Sequence, residues 1–374
     1  MKSAGVGGAV WRKVSVAGLV ACVAGTVVST QTDLDRGLMP RVEAAALRTM
    51  VDRVMSGQPA AGDAWLKWNN HFMRTSDGRV YVPFTLVLDD LSGPLDSVAL
   101  YVRAVPRGTG AAPATRVSGS EVGTPLSVPE RQFSHGTPTA GEASARLGLM
   151  ASELTGVAGS LGAYFIARLP DRKSPSVSRS LVLEPGAYDV YFAIRERAGS
   201  PGAPRSAVMQ STVSVPDLRG NELTTSSIIL ADRIVALSKG FAQAERIDHP
   251  YAFNKTEVFP RFNAAFTSND VLSIVFFVYN LATDRTRLPD ASVALRFRRV
   301  SQFGKVFGEM EPARYSRVHT PPAFDDRAGH QMAVTQALPL SSFPPDSYEL
   351  EAVVSDNLSG RSIVRSARFV VGER

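Results

Sequence analysis

An internal repeat is the feature that most constrains how this chain of 374 residues can fold. The nine residues 97–105, SVALYVRAV, recur 195 positions later at 292–300 as SVALRFRRV. Two shorter blocks follow in the same order, at offsets of 160 and 156: residues 183–188 with 343–348, and residues 205–206 with 361–362. Because the order is kept across all three blocks, we predict two copies of one domain.

The pattern of apolar residues within the copies is typical of β-strands. Residues 80–88 carry valine, phenylalanine or leucine at every even position, which is a period of two. Thirty glycines and 24 prolines suit short strands and turns better than a helical bundle. Further strands are predicted at 97–105, 163–169, 180–183, 188–195 and 207–215.

A short corner motif occurs once in each copy. In the first copy Pro185 and Gly186 precede Tyr188, and a strand-like alternation follows. The second copy keeps Pro345 and Tyr348, while an aspartate replaces the glycine. The motif resembles the tyrosine corner of immunoglobulin-like and fibronectin type III-like sandwiches, in which the tyrosine hydroxyl bonds back to the main chain of the corner. The resemblance implies an all-β fold of two Ig-like, Greek-key β-sandwich domains in tandem.

These patterns divide the chain into five segments. The predicted order is a signal peptide at 1–30, an N-terminal helical segment at 31–64, a first sandwich at 65–216, a linker at 217–224 and a second sandwich at 225–374. The first copy has about 35 more residues than the second between equivalent strands, most of them in an insertion at about 107–162. The insertion is rich in small residues and proline, and three interpretations remain open: a disordered loop, a structural loop or a binding loop.

The first 30 residues have the pattern of a secretory signal peptide. Three basic residues lie ahead of an uncharged apolar run at 14–28, which is too short for a membrane-spanning helix. Residues 19–22 match a bacterial lipobox with Cys22 at the lipidation position, whereas residues 27–29 suit an ordinary signal peptidase. Both alternatives predict an extracytoplasmic protein, in the periplasm, at the outer-membrane surface or secreted, and only the first predicts a lipid anchor.

Residues 40–55 are predicted to form an amphipathic helix. Val42, Ala46 and Met50 recur at helical spacing after Pro40, which suits a first helical turn. Two roles are open, because the apolar side of the helix is suited either to covering the first sandwich or to docking a partner. Covering is favoured, since most apolar helix faces pack on their own domain.

Residues 65–374 as a whole resemble the paired β-sandwich region that follows the von Willebrand A-type domain in some secreted bacterial proteins of acidobacterial type. The resemblance rests on the Pro-Gly-x-Tyr corner, on residues 226–230 after the linker and on the strand end at Tyr279 and Asn280. It implies an extracytoplasmic accessory or adhesive module and brings no catalytic residue. We do not expect the A-type domain itself within this sequence, because the segment that imitates its metal motif has Pro94 where a hydroxyl ligand is needed.

Sequence motifs that bring chemistry are missing. The single cysteine excludes a structural cysteine zinc site, a redox pair and an iron–sulfur cluster within the chain. The five histidines are scattered, and the acidic pairs at 89–90 and 325–326 lack a calcium-loop pattern. No metalloprotease, phosphate-binding, dinucleotide-binding or serine-hydrolase motif occurs. We therefore predict no catalytic residue, no cofactor and no metal.

A basic strand in the second copy is the best candidate for a binding face. Arg296 and Arg298 alternate with apolar residues and are predicted to project from one side, with Arg299 beside them. Such a face would attract an anionic glycan, a lipid head group or a protein. The alternative is that these arginines keep the strand soluble by pairing with Glu349 and Glu351 on a neighbouring strand.

Without residues 1–30 the chain keeps 38 basic and 35 acidic residues, so the net charge of the exported protein gives little reason to expect nucleic-acid binding. We predict an exported, non-enzymatic binding or assembly module of the bacterial cell envelope. Its partner is expected to be an envelope protein or a glycan, with no membrane contact except through a lipid anchor. Two alternatives remain open: an accessory of a carbohydrate-active or other hydrolytic enzyme with its site in the insertion, and a subunit of a surface filament.

Overall fold

The computed structural model describes most of the chain after residue 38. The described ranges are residues 39–60, 66–75, 79–88, 97–107, 161–169, 175–197, 204–242, 245–253, 256–302, 304–317, 324–325 and 331–373. The predicted signal peptide, Cys22 and nearly all of the insertion lie outside these ranges. The described residues form strands in four sheets together with one α-helix, so the predicted all-β sandwich class is confirmed.

The first copy begins with helix α1 (Arg41–Met55) and continues with short and long strands. The strands are β1 (Leu66–Asn70), β2 (Met73–Arg74), β3 (Val80–Leu88), β4 (Ser97–Pro106), β5 (Leu161–Arg168), β6 (Ser176–Leu183), β7 (Gly186–Glu196) and β8 (Ser206–Val215).

Two antiparallel sheets face each other in the first copy. Sheet A has β3 between β6 on one side and the short strands β1 and β2 on the other, and sheet B has the order β5-β4-β7-β8. Phe84 of β3 meets Phe192 of β7 edge to face, with 5.4 Å between ring centroids. Trp68 of β1 packs 4.8 Å from the same ring. The alternating residues of β3 and β7 therefore meet in one core.

The second copy contains the remaining strands. They are β9 (Thr224–Thr225), β10 (Ile229–Ala236), β11 (Ala252–Phe253), β12 (Thr256–Pro260), β13 (Ala265–Thr267), β14 (Val271–Tyr279), β15 (Ala291–Arg299), β16 (Lys305–Glu309), β17 (Ala313–Tyr315), β18 (Phe324–Asp325), β19 (Gln331–Pro339), β20 (Asp346–Asp356) and β21 (Ser362–Gly372).

These strands form a second pair of sheets. Sheet C has the order β11-β12-β10-β14-β19-β18, with β9 also on β14, and sheet D has the order β13-β21-β20-β15-β16, with β17 also on β15. The pairing of β13 with β21 is parallel, and the long pairs β14–β19, β15–β20 and β20–β21 are antiparallel. On the inner side of sheet D, Tyr348 stacks on Phe369 with 5.3 Å between centroids.

The strand order is the Greek-key order of an Ig-like sandwich in both copies. The chain crosses from β3 to β4 in the other sheet, returns at β6 to pair with β3, and crosses again to β7, which pairs with β4. Strands β14, β15, β19 and β20 repeat this path. The three repeated sequence blocks fall on β4 and β15, on the starts of β7 and β20, and on the starts of β8 and β21. The repeat read from the sequence is thus a repeat of the fold.

Helix α1 covers the outer side of sheet B. Leu47 and Val51 are fully buried there against Tyr101 and other outward-facing residues of the sheet. Arg103 of β4 forms an ion pair with Asp52 at 2.8 Å. The helix ends at Met55, and the turn that follows contains Gly57, whose φ of 89° favours glycine, and satisfies the last carbonyl groups of the helix. Of the two predicted roles for this helix, the structure shows the covering one.

A buried polar contact region joins the two copies, and we call it the seam. His71 Nδ1 lies 2.8 Å from Tyr251 Oη, and Tyr81 Oη donates to the carbonyl oxygen of Pro250 at 3.0 Å. Burial lowers the pKa of His71 to about 3 and raises the pKa of Tyr81 to about 12, so both side chains are uncharged at neutral pH.

Arg74 ties the seam to the linker. Its guanidinium donates to Asn280 Oδ1 at 2.9 Å and to the carbonyl oxygen of Leu218 at 3.3 Å, and it lies 4.5 Å above the centroid of the Tyr279 ring. Strand β9 starts at Thr224, which the sequence had assigned to the end of the linker. Because of these contacts, residues of both copies belong to one continuous core.

Candidate binding face

The outward-facing residues of sheet D form the surface that contains the predicted basic face, and we call it the D face. Register places its residues in three rows across β15, β20 and β21: Ala294, Val353 and Val364; Arg296, Glu351 and Ser366; Arg298, Glu349 and Arg368. Alternation in β15 directs Val293, Leu295 and Phe297 into the core, so Arg296 and Arg298 project together from the other side.

Carboxylates accompany the arginines of the D face. Arg296 pairs with Glu309 of β16 at 3.1 Å, and Arg298 pairs with Glu351 of β20 at 2.8 Å. The hydrogen bond with Glu351 raises the pKa of Arg298. The D face is therefore charge-compensated, with an apolar row at one end whose Val364 is 52% exposed.

Arg299 lies apart from the D face. Its Nε donates to Asp346 Oδ2 at 2.7 Å, and the hydroxyl of Ser301 donates to the same carboxylate. Hydrogen bonds from Ser301 and Arg299 lower the pKa of Asp346. The structure thus brings Arg296 and Arg298 together. Arg299, at the end of β15, lies beside the start of β20, where it binds Asp346 of the corner.

The equivalent surface of the first copy is covered. The repeat offsets pair Ala294 with Ala99, and Val364 with Val208, and both first-copy residues are buried beneath α1. Where the D face has Arg296, the first copy has Tyr101, which stacks on Tyr164 with 4.4 Å between centroids. The same sheet face is therefore largely apolar and covered by α1 in one copy, whereas in the other it is charged and no element of the described residues covers it.

Both predicted corners make the hydrogen bond of a tyrosine corner. Tyr188 Oη donates to the carbonyl oxygen of Glu184 at 3.0 Å, and Tyr348 Oη donates to that of Pro344 at 2.7 Å. Pro185 and Pro345 lie inside these four-residue loops. Gly186 has a φ of 149°, whereas Asp346 at the matching position uses its carboxylate to bind Arg299 and Ser301. The corners are structural, and they hold the start of β7 and β20.

An ion pair at the β7–β8 and β20–β21 hairpins also repeats, and sequence reasoning missed it. Arg205 Nη2 lies 2.7 Å from Glu196 Oε1, and Arg361 Nη2 lies 3.4 Å from Asp356 Oδ2. Glu196 and Asp356 end their strands at the offset of 160 that relates the corners, so carrying that offset further along the chain would have found the pair. Asp356 also accepts hydrogen bonds from the Ala282 amide and the Ser359 hydroxyl. Burial would raise the pKa of Asp356, but these hydrogen bonds outweigh it and lower that pKa.

The described residues contain no group of three or more His, Asp, Glu or Cys side chains arranged to hold a metal ion. The candidate lipidation site Cys22 and the acidic pair 89–90 lie outside the described residues, as does nearly all of the insertion, in which the enzyme-accessory alternative places its site. Among the described residues, no helix is both long enough and apolar enough to cross a membrane. The expectation of no cofactor and no catalytic residue stays a prediction.

Comparison with known proteins leaves the family open. No protein-family model matches the chain, and no curated protein matches it. Among solved structures, Salmonella alpha-2-macroglobulin has a TM-score of 0.20 and 13% identity, with 82% of this chain and 16% of that chain covered. Bacteroides uniformis β-glucuronidase has a TM-score of 0.20 and 10% identity, with 81% of this chain and 28% of that chain covered. The full-length major pilin SpaD of Corynebacterium diphtheriae has a TM-score of 0.20 and 8% identity, with coverages of 76% and 61%.

The chain spans less than two thirds of the length of each of these three proteins. At TM-scores this low, no property of those proteins transfers to this chain. The Ig-like sandwich class therefore rests on the strand pairing described above, and the resemblance to the region after an A-type domain stays a prediction.

Proposed function

We propose that this protein is an exported, non-enzymatic binding or assembly module of the bacterial cell envelope, and that its D face receives the partner. One observation supports the proposal above the others. Two equivalent sheet faces differ, since α1 covers one of them and no element of the described residues covers the other. A surface left open in only one of two repeated domains is a natural place for a partner to bind.

The chemistry of the D face supports a partner with both apolar and charged groups. Ala294, Val353 and Val364 offer a short apolar row, and the neighbouring rows offer arginine and glutamate side chains in alternation. A partner that buries the apolar row must satisfy charges of both signs beside it. An envelope protein or a glycan fits this requirement better than a nucleic acid, because a nucleic acid offers only negative charge and would leave the glutamates paired with these arginines without a partner.

The test has two arms, which separate export from binding. Fractionation and intact mass of the full chain made in a bacterial host locate the protein and its first residue. A photo-crosslinking residue replacing Val364 then reports contacts in living cells, with the same residue at Val271, which is 46% exposed at the start of β14, as the matched control. We expect an extracytoplasmic protein and an adduct at position 364 but not at 271. Cytoplasmic retention would overturn export, and equal or absent adducts at both positions would overturn the D face as the binding surface.

A further inference from the structure

Strand β8 ends sheet B with an open edge. It pairs with β7 along its whole length, from Ser206 opposite Arg195 to Val215 opposite Gly186. No strand among the described residues pairs with its other edge, where sheet B ends. The other edge of β8 therefore offers a continuous row of main-chain donors and acceptors.

The hydrogen-bonding pattern shows which residues face that open edge. The amide of Glu196 donates to the carbonyl oxygen of Arg205 at 3.0 Å, so Arg205 points its main-chain groups toward β7. Antiparallel strands alternate, so the main-chain groups of Ser206, Val208, Gln210, Thr212 and Ser214 point outward. The equivalent strand gives a direct check, because Val370 of β21 uses its outward amide to bond the carbonyl oxygen of Ala264 at 2.9 Å.

The sequence of β8 carries none of the usual protection for such an edge. Its ten residues, SAVMQSTVSV, include no charged residue, no proline and no glycine. The matching strand β21 has Arg365 and Arg368 where β8 has Met209 and Thr212, and β13 pairs with the end of β21. The outer edge of β21 is therefore protected by charged residues and by β13, whereas the equivalent edge of β8 has neither protection among the described residues and is suited to pairing.

We propose that β8 pairs in antiparallel fashion with β8 of a second copy of this chain, around a two-fold axis at Gln210. In that register Gln210 faces its own counterpart, Val208 faces Thr212, and Ser206 faces Ser214. All of these residues have outward main-chain groups, so each pair exchanges two hydrogen bonds, and their side chains stay on the correct side of the sheet. No like charges meet, because the strand has none. The two B sheets, one from each chain of the dimer, then form one continuous sheet. This closed two-fold contact pairs the open edge of β8 in both chains.

This inference goes beyond the proposed function, since it concerns self-association whether or not the D face binds a partner. Sedimentation velocity of the full mature chain, over about two orders of magnitude in concentration, measures the dimer. Gln210→Pro removes one outward amide without removing a bond to β7 and blocks the edge. Its matched control is Ser366→Pro, which removes the equivalent outward amide of β21.

We expect a reversible dimer, weakened about tenfold or more by Gln210→Pro and unchanged by Ser366→Pro. Circular dichroism shows whether each proline variant folds. Thr212→Arg tests the same edge without proline, because it gives β8 the arginine that β21 has at Arg368, and it should also weaken the dimer. Amide exchange should slow at Gln210 and Thr212 as the dimer forms. A monomer at every concentration, open-ended oligomers, or equal effects of the two prolines would overturn the proposal.

Discussion

The tyrosine hydroxyls are the residue-scale contacts that most directly connect sequence to fold. Tyr188 and Tyr348 each bond to a carbonyl oxygen four residues earlier and so hold the start of an inner strand. Burial raises the pKa of both phenols, so each hydroxyl keeps its proton as donor at neutral pH. We expect Tyr188→Phe and Tyr348→Phe each to lower the free energy of unfolding by about 1 kcal/mol, the net value of one hydrogen bond. Urea denaturation of each variant measures this.

The control for the tyrosine corners separates the hydroxyl from the ring. Tyr348→Leu also removes the stacking on Phe369 and should lower the free energy of unfolding by more than Tyr348→Phe does. Phenylalanine variants as stable as the wild type would show that the corner bond contributes nothing.

The corner was predictable because its partners lie within four residues. Arg299 was grouped with the D face because strand alternation alone does not show that Asp346 holds it.

Helix α1 shows at the element scale what a covering element contributes. Leu47 is fully buried against sheet B, whereas Val42 on the same helix is 84% exposed. We expect Leu47→Ala to lower the free energy of unfolding by about 2–5 kcal/mol, because it leaves a cavity at the contact. Hydrogen exchange across residues 41–55 should become faster at the same time. Val42→Ala is the control and should change neither measurement. A Leu47→Ala variant with unchanged exchange would contradict the covering role.

Most elements were predictable because their patterns are local. The helix predicted at 40–55 is observed at Arg41–Met55, and the period of two placed β3, β4, β7 and β8 to within a few residues. The hairpin of β11 and β12 was not predicted. Of its described residues only Val258 is buried, and the hairpin joins the rest of sheet C through β10, so its own sequence shows little alternation.

At the scale of the whole molecule, the buried histidine of the seam should make stability depend on pH. His71 is buried between the copies, and burial lowers its pKa to about 3 from the 6.5 expected in the unfolded chain. As pH falls below 6.5, only the unfolded chain takes up this proton, so the free energy of unfolding decreases. We expect a decrease of up to about 1.4 kcal/mol per pH unit between pH 6 and 4.5, a window above the range in which carboxylates with lowered pKa values titrate.

The variant His71→Phe isolates this contribution. It removes the titrating group, while the Tyr251 hydroxyl keeps the carbonyl oxygen of Pro83, at 3.4 Å, as a partner. Thermal denaturation from pH 7.5 to 4.5 should give a flatter profile for His71→Phe than for the wild type. Parallel profiles would contradict the prediction, because they would show that His71 is not buried as a neutral side chain in the seam.

The sequence by itself determined the class of fold, the two copies, the corners and the presence of an amphipathic N-terminal helix, because each of these follows from short-range periodicity or from similarity between segments. The covering role of that helix was one of two open alternatives, and only the structure decided it. The tertiary structure alone decided which polar residues are buried. His71 and Tyr251 are 180 positions apart, and Arg74 reaches Asn280 across 206 positions. Burial of a polar group depends on what folds against it, and nothing in the local sequence distinguishes a buried histidine from an exposed one. The same reason explains why the open D face and the open edge of β8 emerged only when the two copies could be compared in space.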